Sequence, residues 1–148
     1  PELIVETGVA YGVSSSYILK ALDENNKGKL ISIDSIFRPW QSKEMIGAAI
    51  PKNLRNRWEL KIGTSKKLLE KILITLPPID IFLHDSLHTY KNMYYEFKTS
   101  WPFIKKNGFL LSDDISSNNA FSDFYKSIKK EPIIMLQNSQ SYLGILIK

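Results

Sequence analysis

The chain has 148 residues, of which 43% are hydrophobic and 24% are charged, and its formal net charge is +5. This balance is typical of a globular protein and excludes a collagen, a coiled coil and a wholly disordered chain. Cysteine is absent. Its absence excludes a disulfide framework, a thiol nucleophile and a cysteine-ligated metal site, and it fits a reducing compartment, for which we expect the cytoplasm.

The length predicts one domain, residues 1–148. No apolar run reaches the roughly 18 residues of a membrane helix and no signal peptide opens the chain, so we expect no membrane partner. The first residues lack an initiator methionine and run directly into a strand-like stretch, which indicates a missing N-terminal segment. The densest basic stretch, residues 52–57, favours a solvated loop or helix face over a nucleic-acid patch, and we expect no nucleic-acid partner.

Strand-like and helix-like patterns alternate along the chain. Apolar runs predict strands at residues 3–5, 30–33, 58–62, 79–83, 109–111, 133–136 and 142–147. Apolar residues at helical spacing predict helices after the serines at 14–16, near 42–49, after Ser65, over residues 90–101 with a further turn at Pro102, and around 120–130. This order predicts an α/β, Rossmann-like three-layer sandwich with a mostly parallel sheet. The short polar turn at residues 138–140 makes the last two strands a hairpin, so one strand near the C-terminus is antiparallel.

Polar residues stand at the ends of the predicted parallel strands. They are Glu6, Asp34, the Gly-Thr-Ser run at 63–65, His84 with Asp85, and Asp113 with Asp114. Ligands of open α/β sheets bind at these strand ends, near the point where the strand order reverses. Each residue alone is an ordinary loop cap, but five such ends on one edge predict a binding site there.

The loop after the first strand carries two glycines, Gly8 and Gly12. Gly8 allows a tight turn off the strand, and Gly12 allows a ligand or the sheet to approach the helix start, whose free N–H groups favour an anion. Asp34 follows about 20 residues later, at the end of the second strand, where a carboxylate accepts hydrogen bonds from ribose hydroxyls. The glycines alone are equally compatible with a plain strand-to-helix turn; together with Asp34 they favour a nucleotide-like ligand.

The glycine spacing differs from the G-x-G-x-x-G of dinucleotide-binding proteins, which disfavours a nicotinamide-dependent dehydrogenase. The run Glu6-x-Gly8-x-Ala10-x-Gly12 instead resembles the first motif of class I S-adenosylmethionine-dependent methyltransferases, with Ala10 in place of the middle glycine. The resemblance implies cofactor contacts by Glu6, Gly8, Gly12, Ser14, Asp34, Ser35, Thr64 and Ser65. Thr64 and Ser65 correspond to the position beside the adenine, and they are equally compatible with helix N-caps.

The second half has a strand ending in Asp85, then His88 and Tyr90, a long helix, a Pro–Lys–Gly turn and a strand ending in two aspartates. This pattern is similar to one branch of the same superfamily, which includes small-molecule and sugar O-methyltransferases and cephalosporin-hydroxylase-like proteins. Asn107 stands where the branch usually has glycine, a position that both residues can occupy in a left-handed turn.

The resemblance also implies a metal and a base. In metal-dependent members the corresponding acids hold a divalent cation, which implies a Mg²⁺ site at Asp85, Asp113 and Asp114. The alternative is that the aspartate pair caps a loop and Asp85 contacts the cofactor without metal. Asp85 and His88 are the candidate catalytic residues. His88 would be the base for a substrate hydroxyl, or else it caps the next helix. A zinc site with His84 is disfavoured because no third nitrogen or sulfur ligand is evident.

The implied function is methyl transfer from S-adenosylmethionine to an oxygen of a small molecule or sugar, with Mg²⁺ assistance as one version. The alternative is a non-catalytic or truncated domain that binds the cofactor without turnover. Phe37, Arg38 and Trp40 either line a lid over the site or pack the upstream segment. The sequence leaves the acceptor open and admits a homo-oligomer.

Overall fold

The computed structural model describes residues 1–36, 40–137 and 140–148. Within these ranges the helices are α1 (Val13–Glu24), α2 (Ser65–Leu73), α3 (Tyr90–Ser100) and α4 (Ala120–Ser127). The strands are β1 (Leu3–Thr7), β2 (Lys29–Asp34), β3 (Trp58–Ile62), β4 (Ile79–His84), β5 (Ile104–Ser112), β6 (Ile133–Leu136) and β7 (Tyr142–Ile147). Phe37 and Arg38 of the expected lid, and Asn138 and Ser139 of the expected hairpin turn, lie outside the described residues.

The strands form one sheet in the order β3-β2-β1-β4-β5-β7-β6. The pairs β3–β2, β2–β1, β1–β4 and β4–β5 are all parallel. β7 runs antiparallel to both β5 and β6, as the short connection before it predicts. The predicted fold class is therefore confirmed, including the single antiparallel strand. Because the chain winds outwards from β1 in one direction and from β4 in the other, the topological switch point lies between these two strands.

Alternate residues of the central strands pack on opposite faces of the sheet. Leu3 and Val5 of β1 join the core under α2, α3 and α4, whereas Ile4 joins the core under α1. Both faces are covered by helices, so the loops at the carboxyl ends of the strands form the edge at which a ligand can enter. No helix among the described residues combines the length and apolar character needed to cross a membrane.

The segment between β2 and β3 differs from its prediction. In place of a helix at 42–49 there is a single 3-10 turn, Lys43–Met45. The amides of Gly47 and Ala49 donate instead to the carbonyl oxygens of Ala10 and Tyr11, at 2.9 and 2.8 Å. Because these amides bond to the loop that follows β1, they do not form helical hydrogen bonds, and the segment lies against that loop.

The basic stretch forms a second 3-10 helix, Lys52–Arg57, and its arginines donate hydrogen bonds to backbone carbonyl oxygens. Arg55 donates to the carbonyl oxygens of Gly47 and Ile50, and Arg57 donates to the carbonyl oxygen of Gly28. The Arg57 bond fastens the segment to the α1–β2 turn, while Lys52, Asn53, Arg55 and Asn56 are exposed, in line with the expected solvated helix face.

β5 begins at Ile104, earlier than the predicted residue 109. Asn107 has the expected left-handed conformation, with φ of 63°. It lies inside the strand, where the pairing with β4 is irregular between Ile79 and Ile81. The left-handed residue therefore marks an irregularity within β5 and not a turn before it.

Candidate functional site

The ends of β1, β2, β3 and β4 border a cavity of about 750 Å³ at the switch point. A volume of this size is typical of pockets that bind a cofactor or a drug-sized ligand. Predicted site residues that line it are Gly8, Asp34, Ser35, Thr64, Ser65, Asp85 and His88. Tyr11, Trp40, Met45 and Leu87 add apolar surface to its walls.

Gly8 brings the first loop close to the loop after β4. Its φ is 85°, and a Cβ atom there would lie 1.9 Å from the carbonyl oxygen of Asp85. Its amide donates to the carbonyl oxygen of Ile33 at 2.9 Å. Both the left-handed backbone and the close approach require glycine at this position.

Asp34 fastens the first loop to the end of β2. Its Oδ2 accepts hydrogen bonds from the amides of Val9 and Ala10, both at 2.8 Å, and its Oδ1 accepts one from the amide of Ser35 at 2.6 Å. A carboxylate has about four acceptor directions. About one therefore remains for a ligand hydroxyl, so Asp34 can both shape the loop and bind.

Glu6 is fully buried behind the cavity wall and does not line it among the described residues. Its Oε1 accepts hydrogen bonds from the hydroxyls of Ser15 and Ser32, both at 2.6 Å. Its Oε2 is buried and has no partner among the described residues. Burial, opposed by the two serine hydrogen bonds, raises the pKa of Glu6 to about 7. The carboxyl group is thus positioned to respond to a cationic ligand in the neighbouring cavity.

Asp85 and Asp113 bring two carboxyl groups together at the ends of β4 and β5. Burial, followed by the charge and the hydrogen bond of Asp113, raises the pKa of Asp85 to about 7. The two carboxylates each place an oxygen within 4.8 Å of the other. Two carboxylates this close repel each other unless a proton or a cation lies between them.

His88 faces the same two carboxyl groups. Its Nε2 lies 4.0 Å from Oδ1 of Asp85 and 3.8 Å from Oδ2 of Asp113, and it has no hydrogen-bond partner among the described residues. One ligand atom from each of these three residues lies within 4.8 Å of the other two, which makes them a group that could hold a metal ion. Burial, and then the neighbouring His84, lower the pKa of His88. The residue that precedes α3 is Thr89, so His88 is not the helix cap that the alternative interpretation required.

Asp114 is not brought into this group. Its φ is 46°, and its Oδ1 accepts a short hydrogen bond from the hydroxyl of Ser141. The structure therefore turns the third predicted metal ligand towards the start of β7.

Gly12 and Ser14, at the start of α1, do not line the cavity among the described residues. A Cβ atom on Gly12 would meet Ile50 and Gly47 at 2.7 and 2.8 Å. The close approach that Gly12 permits is therefore made by the 47–50 segment of the chain itself. Ser15, one residue after Ser14, is the serine that reaches Glu6.

Thr64 and Ser65 lie at the start of α2, where both line the cavity. Thr64 occupies the N-cap position but makes no side-chain capping bond. The hydroxyl of Ser65 donates to Oδ1 of Asn92 at 3.4 Å, which links α2 to α3. Neither hydroxyl is committed to capping, and that of Ser65 is engaged with α3.

A buried hydrogen-bonded pair behind the cavity, His84 and Glu96, was not predicted from the sequence. His84 Nδ1 lies 2.6 Å from Oε2 of Glu96, and both side chains are fully buried. Burial favours the neutral acid, but the hydrogen bond and charge of His84 outweigh it and lower the pKa of Glu96. The available signal was a glutamate on the buried side of α3, which it shares with Met93 and Phe97.

Comparison with known proteins identifies the family. A family model described as a methyltransferase domain matches residues 5–115. The chain therefore belongs to this methyltransferase family, and the resemblance found in its motifs is confirmed. The matched span includes every predicted site residue. Among proteins of curated function, none matches the chain.

Several solved methyltransferases share the fold. The O-methyltransferase from Bacillus cereus, in complex with S-adenosylhomocysteine, has a TM-score of 0.75 and 15% identity over 99% of this chain and 74% of its own. The TDP-rhamnose 3'-O-methyltransferase of calicheamicin biosynthesis has a TM-score of 0.74 and 14% identity over 97% of this chain and 71% of its own. The O-methyltransferase TomG from Streptomyces achromogenes, in complex with S-adenosylmethionine, has a TM-score of 0.71 and 16% identity over 99% and 73%. At these identities the likeness establishes the fold.

Proposed function

We propose that this domain is an S-adenosylmethionine-dependent methyltransferase that transfers a methyl group to an oxygen of a small molecule or a sugar. The observation that carries the proposal is the cavity at the switch point, which Gly8 and Asp34 share with Asp85 and His88. Family membership supports the reaction class. The solved O-methyltransferases in complex with the cofactor or its product support the cofactor and the oxygen acceptor.

The residues around the cavity fit this cofactor in charge and shape. Asp34 keeps an acceptor direction for a ribose hydroxyl, and Gly8 lets a ligand approach the backbone of the loop. Asp34, Asp85 and the buried Glu6 make the surroundings acidic, which suits a ligand with a sulfonium and an ammonium group. When bound, S-adenosylmethionine supplies an electrophilic methyl group.

The acidic group also fits a divalent cation. Asp85 and Asp113 hold carboxyl groups against each other, and a cation would relieve the repulsion that raises the pKa of Asp85. Oxygen donors of this kind are the ligands that Mg²⁺ prefers. We propose Asp85 and Asp113 as ligands, joined by Asp114 when its carboxylate leaves Ser141. When bound, the cation lowers the pKa of an acceptor hydroxyl.

His88 is proposed as the general base. Its lowered pKa keeps the ring neutral at pH 7, and its unpartnered Nε2 faces the two carboxyl groups at which an acceptor hydroxyl would be held. His88 would take the hydroxyl proton, and bound S-adenosylmethionine would supply its methyl group to the acceptor oxygen, with the electron pair of the carbon–sulfur bond left on sulfur. The protein contributes mainly by holding the reactants in line.

Transfer of a labelled methyl group from S-adenosylmethionine to a panel of phenols and sugars tests this function. We expect labelled product with the wild-type protein, and a loss of about 10²–10⁴-fold in kcat for His88→Gln with little change in the KM for the cofactor. Leu73→Ala, a core variant remote from the cavity, serves as the control that keeps its rate. Cofactor binding without any product would favour the alternative, a domain without turnover.

The metal role has its own test. Addition of EDTA and the double variant Asp113→Ala/Asp114→Ala should each remove most of the activity. Full activity of the double variant would contradict the metal role. A large loss of Mn²⁺ affinity in His88→Gln would show His88 to be a metal ligand and not the base.

We propose further that the protein works in the cytoplasm as a homo-oligomer. The lack of cysteine supports a reducing compartment. The exposed apolar edge strand β6, Ile133–Leu136, supports association between copies. Cell fractionation and sedimentation equilibrium are the measurements that test these two statements.

A further inference from the structure

We propose that Glu96 is a positioning residue for this site, because its buried carboxylate gathers hydrogen-bond donors from several elements and thereby fixes the loop that carries Asp85 and His88. The inference rests on the proposed function, since it concerns the cavity assigned to the cofactor. Glu96 itself is buried behind that cavity and touches no ligand there.

Among the residues that the structure describes, the side chains of Thr7, His84, Ser86 and Asn92 donate to the Glu96 carboxylate. Oε2 accepts from the hydroxyl of Thr7 at 2.5 Å and from Nδ1 of His84 at 2.6 Å. Oε1 accepts from the hydroxyl of Ser86 at 2.8 Å and from Nδ2 of Asn92 at 3.0 Å. These donors come from the end of β1, the end of β4, the loop that follows it, and the first turn of α3. One carboxylate therefore connects the two strands on either side of the switch point.

The donors are the walls of the cavity and the neighbours of the reacting groups. Thr7, Ser86 and Asn92 line the cavity. His84 and Ser86 flank Asp85 in the chain, so both sides of Asp85 are bonded to the same carboxylate. The amide of Asp85 also donates to the carbonyl oxygen of Thr7 at 2.9 Å. Movement of Glu96 would consequently move Asp85 against Gly8, whose missing Cβ leaves room for the Asp85 carbonyl.

The contact between His84 and Glu96 also helps to position His88. The ring of His84 stands edge-on to the ring of His88, with the two centroids 5.2 Å apart. Because Nδ1 of His84 is held by Glu96, the orientation of this ring is fixed and so is the wall that His88 packs against. His84 thus acts on the site by packing against His88 and not by taking part in the reaction.

A purely structural role would not call for a carboxylate here. Burial of a charge is costly, and apolar residues of similar volume commonly serve stability as well or better. Of the other buried residues of α3, Met93 and Phe97 are apolar and Ser100 is uncharged. A charged side chain that accepts hydrogen bonds from three cavity residues, Thr7, Ser86 and Asn92, and from His84 next to Asp85 is explained by the geometry that it imposes on them.

The test compares Glu96→Gln with Leu73→Ala, a destabilising control in the core far from the cavity. The glutamine keeps one acceptor oxygen but presents an NH₂ group to two of the four donors. Affinity for S-adenosylhomocysteine is measured by isothermal titration calorimetry, at a temperature where both variants are folded. Residues that hydrogen-bond to metal-binding side chains and orient them typically contribute about 10–100-fold to affinity or activity. We expect a loss of similar size in Glu96→Gln. Leu73→Ala should bind as the wild type does.

A second pair of variants shows whether the hydroxyl bond matters rather than packing. Thr7→Val removes the donor at nearly constant volume and should weaken binding, while Thr7→Ser keeps the donor and should restore it. The ¹⁵N spectrum of the two imidazoles reports the pair directly: His84 should be held with its proton on Nδ1 in the wild type and should lose that state in Glu96→Gln.

The outcomes separate the two claims. Equal affinity in the wild type and Glu96→Gln, with the wild type binding, overturns the positioning role and leaves the proposed function intact. Failure of the wild type itself to bind S-adenosylhomocysteine overturns the proposed function, and the positioning role falls with it. Equal losses in Glu96→Gln and Leu73→Ala also overturn the positioning role, because stability alone would then account for both.

Discussion

Two carboxyl groups at the site, that of the buried Glu6 and that of the partly exposed Asp85, give the protein a defined pH response. The pKa of Glu6 is raised to about 7 from 4.5, and that of Asp85 to about 7 from 3.8. Between these lower values and about pH 7 the unfolded chain releases protons that the native chain retains. The unfolded state then binds fewer protons, so the free energy of unfolding falls as the pH rises through this window and levels off above it.

Glu6→Gln should flatten part of this response. Glutamine cannot ionise, so the fall in the free energy of unfolding between pH 5 and 7.5 should shrink. Because a shift of one pKa unit corresponds to about 1.36 kcal/mol, the change should be up to roughly 3 kcal/mol. Urea unfolding at several pH values measures it. Glu70→Gln, at an exposed position of α2, should keep the wild-type profile. A wild-type profile in Glu6→Gln would contradict the assignment of the slope to Glu6.

Asp34→Asn should weaken binding of S-adenosylhomocysteine by about tenfold or more, because hydrogen bonds to a charged acceptor are worth about 1.5–3 kcal/mol each. Asp80 offers a matched control, since its Oδ2 also accepts two backbone amides, those of Glu2 and Leu3, but away from the cavity. Asp80→Asn should lower stability and leave the Kd unchanged. Similar Kd changes in both variants, measured by calorimetry, would argue against a binding role for Asp34.

At the level of elements, the loop between β1 and α1 depends on a glycine that no other residue can replace. Gly8→Ala places a methyl group 1.9 Å from the Asp85 carbonyl oxygen and should displace one of the two loops. Gly28→Ala is the control: its φ of 89° makes the backbone strain similar, at about 1–2 kcal/mol, but it lies in the α1–β2 turn. We expect both variants to melt earlier and only Gly8→Ala to lose S-adenosylhomocysteine binding. Retained binding in Gly8→Ala would refute the close packing of the two loops.

The sequence predicted these elements well where a local pattern carries the information. Alternation of strands and helices gave the parallel sheet, and the short turn gave the antiparallel β7. The 3-10 turn at Lys43–Met45 could not be foreseen, because the amides that would continue a helix bond to the loop at Ala10 and Tyr11. The early start of β5 also depends on a contact that is distant in sequence. Pairing with β4 extends the strand through Asn107, whose left-handed conformation is typical of a turn.

Site residues at strand ends were predictable for a related reason. Parallel strands bring their carboxyl ends to one edge, so Asp34, Asp85 and Asp113 follow from strand order alone. The Glu96–His84 pair could not be predicted, since its partners meet only when α3 packs behind β1 and β4. The direction of the Asp114 side chain likewise depends on Ser141, which is distant in sequence.

For the molecule as a whole, binding and folding are expected to be coupled. The described cavity walls come from separate stretches of the chain, within residues 7–11, 33–35, 40–45, 63–65 and 85–92. They meet only in the folded state, so the unfolded chain offers a cofactor no site. A cofactor should consequently stabilise the entire domain.

Thermal unfolding with and without S-adenosylhomocysteine, each in Mg²⁺ or EDTA, tests the central claim most directly. At a ligand concentration about 100-fold above Kd, binding to the native state adds about 2.7 kcal/mol. For a domain of this size the midpoint should rise by about 5–10 °C. We expect this rise in the wild type and a smaller one in Asp34→Asn. An unchanged midpoint in the wild type under both conditions would contradict the assignment of the cavity to the cofactor.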